Sequence, residues 1–143
     1  MTCLKRLFCF SLLFLFAYSV YALEVEGFTP DKEVVYKTIG DVELKISVFS
    51  PSDHSPDDKR PAIVFFFGGG WESGSPSQFH PHCEYLASRG MVAMSADYRV
   101  FSRQHTSPRE CVKDGKSAVR WIRQHAAELG VDPDKVVAGG GLP

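Results

Sequence analysis

The sequence predicts an α/β fold in which helices cross over a mostly parallel sheet and a β-hairpin comes first. Beyond residue 60, strand-like apolar runs alternate with stretches of helical periodicity. The run at residues 62–67 is apolar throughout, as strands covered on both faces are, and the run at residues 91–96 is apolar apart from Ser95. A hairpin followed by β-α-β-α-β needs crossover connections, and therefore parallel pairing of the later strands.

The hairpin is predicted from residues 34–39 and from the segment Val42–Phe49. A short polar connection, Gly40-Asp41, joins them and suits a tight turn. Apolar and polar residues alternate along the second segment, so one of its faces is expected to be dry. Buried strands are then predicted at residues 62–67 and 91–96, helices at 78–89 and 108–129, and a last strand from residue 135.

Length, composition and charge indicate one globular domain of ordinary size. The chain has 143 residues, of which 44% are hydrophobic and 23% charged. With 16 basic and 17 acidic side chains its formal net charge is −1. No broad positive field is available to hold a phosphate backbone, so nucleic acid is excluded as an expected partner. The sequence does not specify an oligomeric state.

The first 22 residues have the pattern of a signal peptide. Lys5 and Arg6 are followed by an uncharged apolar run at residues 7–18, and cleavage is expected after Ala22. The alternative is a membrane anchor, but the run is shorter than the ~20 residues that span a bilayer. The chain is therefore expected to be exported to a periplasm or secreted, with residues 23–143 as its domain and no membrane attachment after cleavage.

Two cysteines, Cys83 and Cys111, remain after that cleavage, in a compartment that permits disulfides. They form a possible disulfide. The alternative is two separate thiols buried on helices, and the sequence leaves both open.

Three consecutive glycines, Gly68, Gly69 and Gly70, follow the first buried strand and precede Trp71. Backbone amides without a Cβ beside them, at the edge where open α/β sheets bind ligands, can hold an oxyanion. Neither G-x-G-x-x-G nor a P-loop fits, because Ser73 stands at the third glycine position and no Gly-Lys-Ser/Thr follows. A flexible turn without a ligand is the alternative.

Four motifs in unbroken order between residues 42 and 141 resemble the acetyl-esterase and feruloyl-esterase-like (BD-FAE-like, lipase/carboxylesterase) branch of the α/β-hydrolases. They are the glycine run with Trp71, Ser-Ala-Asp-Tyr-Arg at 95–99, Asp114 with Ala-Val-Arg-Trp at 118–121, and Gly-Val-Asp-Pro-Asp-Lys-Val at 130–136. The resemblance implies an α/β-hydrolase fold, with the amides of Gly69 and Gly70 as oxyanion donors. The family's glycine motif usually begins with histidine, and here Phe67 holds that position.

The resemblance also gives structural roles to Asp97, Arg99 and Asp114, with Arg99 paired to Asp114. A catalytic Asp97 is the less favoured alternative, because a carboxylate beside arginine stays ionised and is a poor proton donor. A zinc site at His80 and His82 is disfavoured, since helix positions two apart do not face the same way. Neither a metal nor another cofactor is expected.

The resemblance to α/β-hydrolases implies acyl transfer by a serine, a histidine and an acidic residue, with the serine in G-x-S-x-G after the strand that begins near Val136. The strand runs into Gly139-Gly140-Gly141, and Leu142 then stands where the serine should be. We therefore expect a partial hydrolase domain, truncated at the nucleophile elbow and inactive by itself. Completed, it would act on small-molecule or polysaccharide esters. The alternative is a non-catalytic binding or interaction protein that keeps half the fold.

Overall fold

The predicted hairpin is present in the computed structural model of the protein, which describes residues 27–141. β1 (Lys32–Ile39) and β2 (Val42–Phe49) are antiparallel neighbours. Gly40 turns the chain between them with φ at 57°, a value at which an L side chain is strained. The segment predicted to be a signal peptide and Leu142 lie outside the described residues.

The sheet has five strands in the order β1-β2-β4-β3-β5. The remaining strands are β3 (Arg60–Phe66), β4 (Val92–Ala96) and β5 (Val131–Gly140). β4 and β5 both pair with β3 in parallel, whereas β2 is antiparallel to β1 and to β4. Only β2 thus runs against the other four strands, and the prediction of a mostly parallel sheet is confirmed.

Helices follow β3 and β4, as the alternation predicted. After β3, a 3₁₀ turn (Pro76–Phe79) leads into α1 (His80–Ser88). After β4 come a four-residue helix that the sequence did not predict, α2 (Phe101–Gln104), and then α3 (Pro108–Gln124). Ser107 and Glu110 cap the start of α3 reciprocally, with Pro108 in its first turn.

Two element boundaries differ from prediction by four or more residues. α3 ends at Gln124 instead of residue 129, because the chain turns there so that Ala126 and Leu129 are buried and Gly130 enters the next strand with φ at 59°. β5 begins at Val131 rather than 135. Its pairing with β3 jumps between Val131 and Val136, so the intervening residues form an irregularity at the start of the strand.

The core lies on both faces of β4, whose five residues are all buried. Successive strand residues point to opposite faces. Val92 and Met94 therefore join the larger cluster with Ile122 of α3, whereas Ala93 joins a smaller one with Cys83 of α1. The helices α1 and α3 thus cover opposite faces of the sheet.

Cys83 and Cys111 are both free and buried. Cys83, on α1, belongs to the cluster with Phe49 and Ala93, whereas Cys111 belongs to a third cluster with Phe67 and Tyr98. The possible disulfide is therefore not the arrangement found, because the two thiols are buried in different parts of the core. The structure has the other alternative, two separately buried thiols.

Within residues 27–141, no helix combines the length and the apolar character needed to cross a bilayer.

Candidate active site

The three parallel strands end side by side and bring their following segments together. Phe66 at the end of β3 is in register with Ala96 of β4 and with Gly140 of β5. The glycine loop, the Asp-Tyr-Arg segment and the end of β5 therefore meet at the carboxyl edge of the sheet, where open α/β sheets bind ligands. A cavity of about 550 Å³ opens there, lined by the glycine loop, Trp71, Tyr98 and one side of α3.

The glycine loop has a backbone conformation that requires glycine. The φ angles are 142° at Gly69 and 64° at Gly70, and Trp71 keeps a left-handed φ of 59° despite its side chain. A Cβ at Gly69 would collide with the carbonyl oxygen of Ser73. The loop is closed by the amide of Glu72, which donates to the Gly69 carbonyl at 3.0 Å. The run of glycines is thus a tight, defined turn.

The amides of Gly69 and Gly70 are free to serve a ligand. Neither of them donates a hydrogen bond to another of the described residues. The neighbouring amide of Gly68, by contrast, donates to Oε1 of Gln78 at 2.7 Å. The end of β5 lies beside them, since a Cβ at Gly141 would come within 2.8 Å of the Gly68 nitrogen. The two unpaired donors therefore follow directly on an amide that adjoins the end of β5, and both glycines line the same cavity as Gly140 and Gly141.

Phe67, at the position where the family usually has histidine, is an anchor of the loop. Only 2% of it is exposed, and its ring stacks on Tyr98 with centroids 4.1 Å apart. The Tyr98 hydroxyl donates to the Phe67 carbonyl at 2.6 Å. Burial raises the pKa of the Tyr98 phenol, so the hydroxyl stays protonated as a donor.

The predicted pair of Arg99 with Asp114 is confirmed. The guanidinium donates from Nε at 2.7 Å and from Nη2 at 3.0 Å to the two carboxylate oxygens. Lys37 of β1 adds a third contact at 2.6 Å, which the sequence did not reveal. Burial alone would raise the pKa of Asp114, but the hydrogen bonds from Arg99 and Lys37 outweigh it and hold the pKa below its usual value.

Asp97 pairs with Arg103 of α2. The two side chains form a bidentate contact at 2.7 and 3.0 Å, and Arg103 also donates to the Tyr98 carbonyl at 3.1 Å. Both carboxylates of the candidate site are thus held by arginine, which suits structural support.

Several residues of the site were missed by sequence reasoning. Gln78, Arg103 and Lys37 reach the site from other elements, so no local pattern relates them to it. Tyr98 could have been found, since it lies within the Asp-Tyr-Arg motif already singled out.

The histidines of α1 are engaged elsewhere. Nδ1 of His80 lies 3.1 Å from the Phe28 carbonyl, and the ring of His82 packs near Phe65 and Phe79. Over residues 27–141, no group of three or more His, Cys, Asp or Glu side chains is placed to hold a metal ion.

Comparison with known proteins agrees with this geometry. The family model BD-FAE matches residues 46–141. Carboxylesterase NlhH of Mycobacterium tuberculosis is 28% identical over 115 residues, covering 78% of this chain and 35% of the relative. Lipase 2 of Moraxella sp. is 29% identical over 113 residues, covering 77% of this chain and 25% of the relative.

Solved structures of an esterase from the planctomycete Thermogutta terrifontis are similar at higher identity. The propionate-bound form of Est2 is 63% identical with a TM-score of 0.76, over 77% of this chain and 40% of that one. The apo form is 60% identical with a TM-score of 0.77, over 85% and 44%. The chain spans about a third of the length of NlhH and about two fifths of the esterase. A family match over two thirds of the sequence, on this sheet order, shows that the chain belongs to the BD-FAE family and has the α/β-hydrolase fold.

Proposed function

We propose that this chain forms the oxyanion-binding part of a carboxylic-ester hydrolase. The observation that carries the proposal is the pair of unbonded amides at Gly69 and Gly70, beside the end of β5. In ester hydrolysis by a serine, negative charge develops on the carbonyl oxygen as the tetrahedral intermediate forms. Two pre-aimed amides stabilise that charge, and loss of one such donor typically costs ~10²–10³ in rate.

The nucleophile would come from the turn after β5. By family resemblance that position is Leu142, whose hydrocarbon side chain cannot attack a carbonyl. We therefore propose that the 143-residue chain has no serine-esterase turnover by itself. Leu142 also favours the second candidate function, a binding protein that keeps the hydrolase fold, because a protein without a nucleophile can still bind a ligand.

The proposed substrates are esters with a short acyl group, either small molecules or acylated polysaccharides. The similar esterase from T. terrifontis has been solved with propionate and with butyrate, and also phosphorylated by paraoxon. A cavity of about 550 Å³ beside the glycine loop has room for groups of that size. No cofactor takes part in the proposed reaction.

The test begins with a reading of the gene through codon 142 and beyond. It then compares the 143-residue chain with the protein that this longer reading encodes. If that reading supplies a serine in G-x-S-x-G and later a histidine and an acid, the purified product should hydrolyse p-nitrophenyl acetate with saturation, whereas the 143-residue chain should not. Unrelated sequence there, with no hydrolysis by either protein, would refute the enzyme and support the binding protein. Turnover by the 143-residue chain would refute the proposed role of Leu142.

We also propose export through the amino-terminal segment, which lies outside the described residues. Expression in a secreting host should yield a protein that begins at Leu23 in the extracytoplasmic fraction, because Lys5, Arg6 and the apolar run precede a cleavage site at Ala22. Amino-terminal sequencing measures this. Recovery of intact Met1 in washed membranes would contradict export and support an anchor.

A further inference from the structure

The glycine loop is tied to its surroundings on both sides of the two free amides. Before them, the Phe67 carbonyl accepts from the Tyr98 hydroxyl and the Gly68 amide donates to Gln78. After them, the carbonyls of Trp71 and Glu72 accept from the first amides of α2, Phe101 at 3.0 Å and Ser102 at 2.9 Å. The ties bracket Gly69 and Gly70 and leave their amides unoccupied.

α2 is itself fixed by Arg103. The guanidinium bonds both carboxylate oxygens of Asp97 and the carbonyl of Tyr98, both just beyond the end of β4. It also lies 6.0 Å from the centroid of the Phe67 ring, within reach of a cation–π contact. Arg103 therefore connects the hydrogen bonds that precede the two free amides with those that follow them. It contacts Tyr98, which bonds the Phe67 carbonyl, and it belongs to α2, which bonds the Trp71 carbonyl.

We infer that Tyr98 and Arg103 are positioning residues for the oxyanion amides: they hold the loop with Gly69 and Gly70 aimed before any substrate binds. This inference rests on the proposed function. The backbone explains why such support is needed. Trp71 holds a φ of 59° that residues with a side chain rarely adopt, and the two glycines before it restrict the backbone least of all residues. Stabilising donors are effective only when they do not reorganise during the reaction.

The structure offers a matched control for Tyr98. The hydroxyl of Tyr36 also donates to a backbone carbonyl at 2.6 Å, that of Asp97, and both tyrosines are nearly buried, at 8% and 6% exposed. Tyr36→Phe and Tyr98→Phe thus remove the same atom and the same kind of bond. Only Tyr98 contacts the glycine loop.

The test is hydrogen exchange and ¹⁵N chemical shifts of the loop in the 143-residue chain, measured by NMR. Both variants should lower the thermal midpoint to a similar extent. Tyr98→Phe alone should speed exchange of the Gly68 and Glu72 amides by roughly threefold to tenfold, the worth of one net hydrogen bond. It should also move the resonances of Gly69 and Gly70. Loop amides that respond to neither variant, or equally to both, would overturn the inference.

Arg103→Gln keeps the inference testable if Tyr98→Phe does not fold. Arg103 is 39% exposed, so its loss leaves no cavity in the core. It should speed exchange of the Phe101 and Ser102 amides. Arg60→Gln is its control, since Arg60 pairs with Asp53 and Asp58 away from the loop. If the exchange rates of the Phe101 and Ser102 amides are the same in Arg103→Gln as in the wild type, Arg103 does not position the loop.

A completed protein, with serine in place of Leu142 in G-x-S-x-G and with the later acid and histidine, separates this inference from the proposed function. In it, Tyr98→Phe should lower kcat for p-nitrophenyl acetate by about tenfold and leave KM within about twofold, because only the transition state carries the oxyanion. If the loop amides respond and the completed protein hydrolyses no ester, the proposed function fails. If the protein is active and kcat is unaffected by Tyr98→Phe, the inference fails and the function stands.

Discussion

Gly69 is the residue at which the need for glycine is sharpest. Its φ of 142° combines with a predicted collision between any Cβ and the Ser73 carbonyl. Gly69→Ala should therefore lower the free energy of unfolding by about 2–3 kcal/mol. Urea titration followed by circular dichroism measures the loss.

Gly40→Ala is the control for this substitution. Gly40 also has a positive φ, 57°, but apart from its own chain neighbours no residue comes within 4 Å of its projected Cβ. Only the conformational cost, about 1 kcal/mol, should remain. Equal losses at the two glycines would show that the contact with Ser73 contributes nothing.

Both cysteines should behave as inert thiols. Burial raises the pKa of Cys83 to about 12 and also raises that of Cys111, so few thiolates exist near neutral pH. Alkylation by iodoacetamide at pH 8 should be at least about a hundredfold slower in the native protein than in urea. Dithiothreitol should leave the thermal midpoint unchanged. A linked peptide of Cys83 and Cys111 in a digest without reductant would contradict this.

At the residue scale, the sequence indicated which residues take part in contacts better than it indicated which partners they meet. Glycines in a row indicate bare amides directly, and a known motif suggested that Arg99 meets Asp114. No local pattern shows that Lys37, 77 positions earlier, adds to the same carboxylate. Whether Cys83 and Cys111 meet likewise depends on which faces of the sheet α1 and α3 cover, and spacing along the chain does not specify that.

Among the elements, α3 depends most on one buried charge. Asp114 is wholly buried and ties α3 to β1 and to the segment after β4. Asp114→Asn should cost about 2–4 kcal/mol of unfolding free energy, because Arg99 and Lys37 lose their ion pairs. Asp132→Asn loses a single pair with Lys135, whose side chain is 65% exposed, and should change the urea midpoint little.

The same carboxylate predicts a dependence of stability on pH. Since its pKa is lower in the folded protein, its contribution is fully present above the ordinary aspartate pKa of ~3.9 and is lost as pH falls through the folded pKa. The difference in urea midpoint between wild type and Asp114→Asn should therefore shrink below about pH 4. A difference that stays constant down to pH 2 would contradict the lowered pKa.

Element types were predictable from periodicity, whereas their ends were less so. The buried strands were found because four or more apolar residues in a row are unusual outside a covered sheet. α2 was missed because four residues give no periodicity, and it is held by the backbone of the glycine loop. The early start of β5 was missed because Asp-Pro-Asp is typical of a turn, and here it is an irregularity inside the pairing with β3.

At the scale of the whole domain, β4 connects the two layers of the core, one under α1 and the other under α3. Met94, fully buried, packs on the α3 side, while its neighbour Ala93 packs on the α1 side. Met94→Ala should lower the unfolding free energy by about 2–5 kcal/mol. Because the layers share this strand, tryptophan fluorescence and far-ultraviolet circular dichroism should still report one transition.

Val112→Ala is the control for Met94, since Val112 is 48% exposed on α3. It should change stability by less than about 0.5 kcal/mol. Two separate transitions in either variant would show that the layers unfold independently.

The strand order β1-β2-β4-β3-β5 has a consequence for synthesis on the ribosome. The inner edge of β2 pairs with β4, and 42 residues separate Phe49 from Val92. At ~5–20 residues per second, the finished hairpin waits several seconds for its partner. During that interval β3 is the next strand to be synthesised, although in the folded sheet it pairs with β4 and β5 and not with β2. The nascent hairpin therefore has to remain unpaired on that edge, and the interval before β4 emerges is when a chaperone would do most to prevent misfolding.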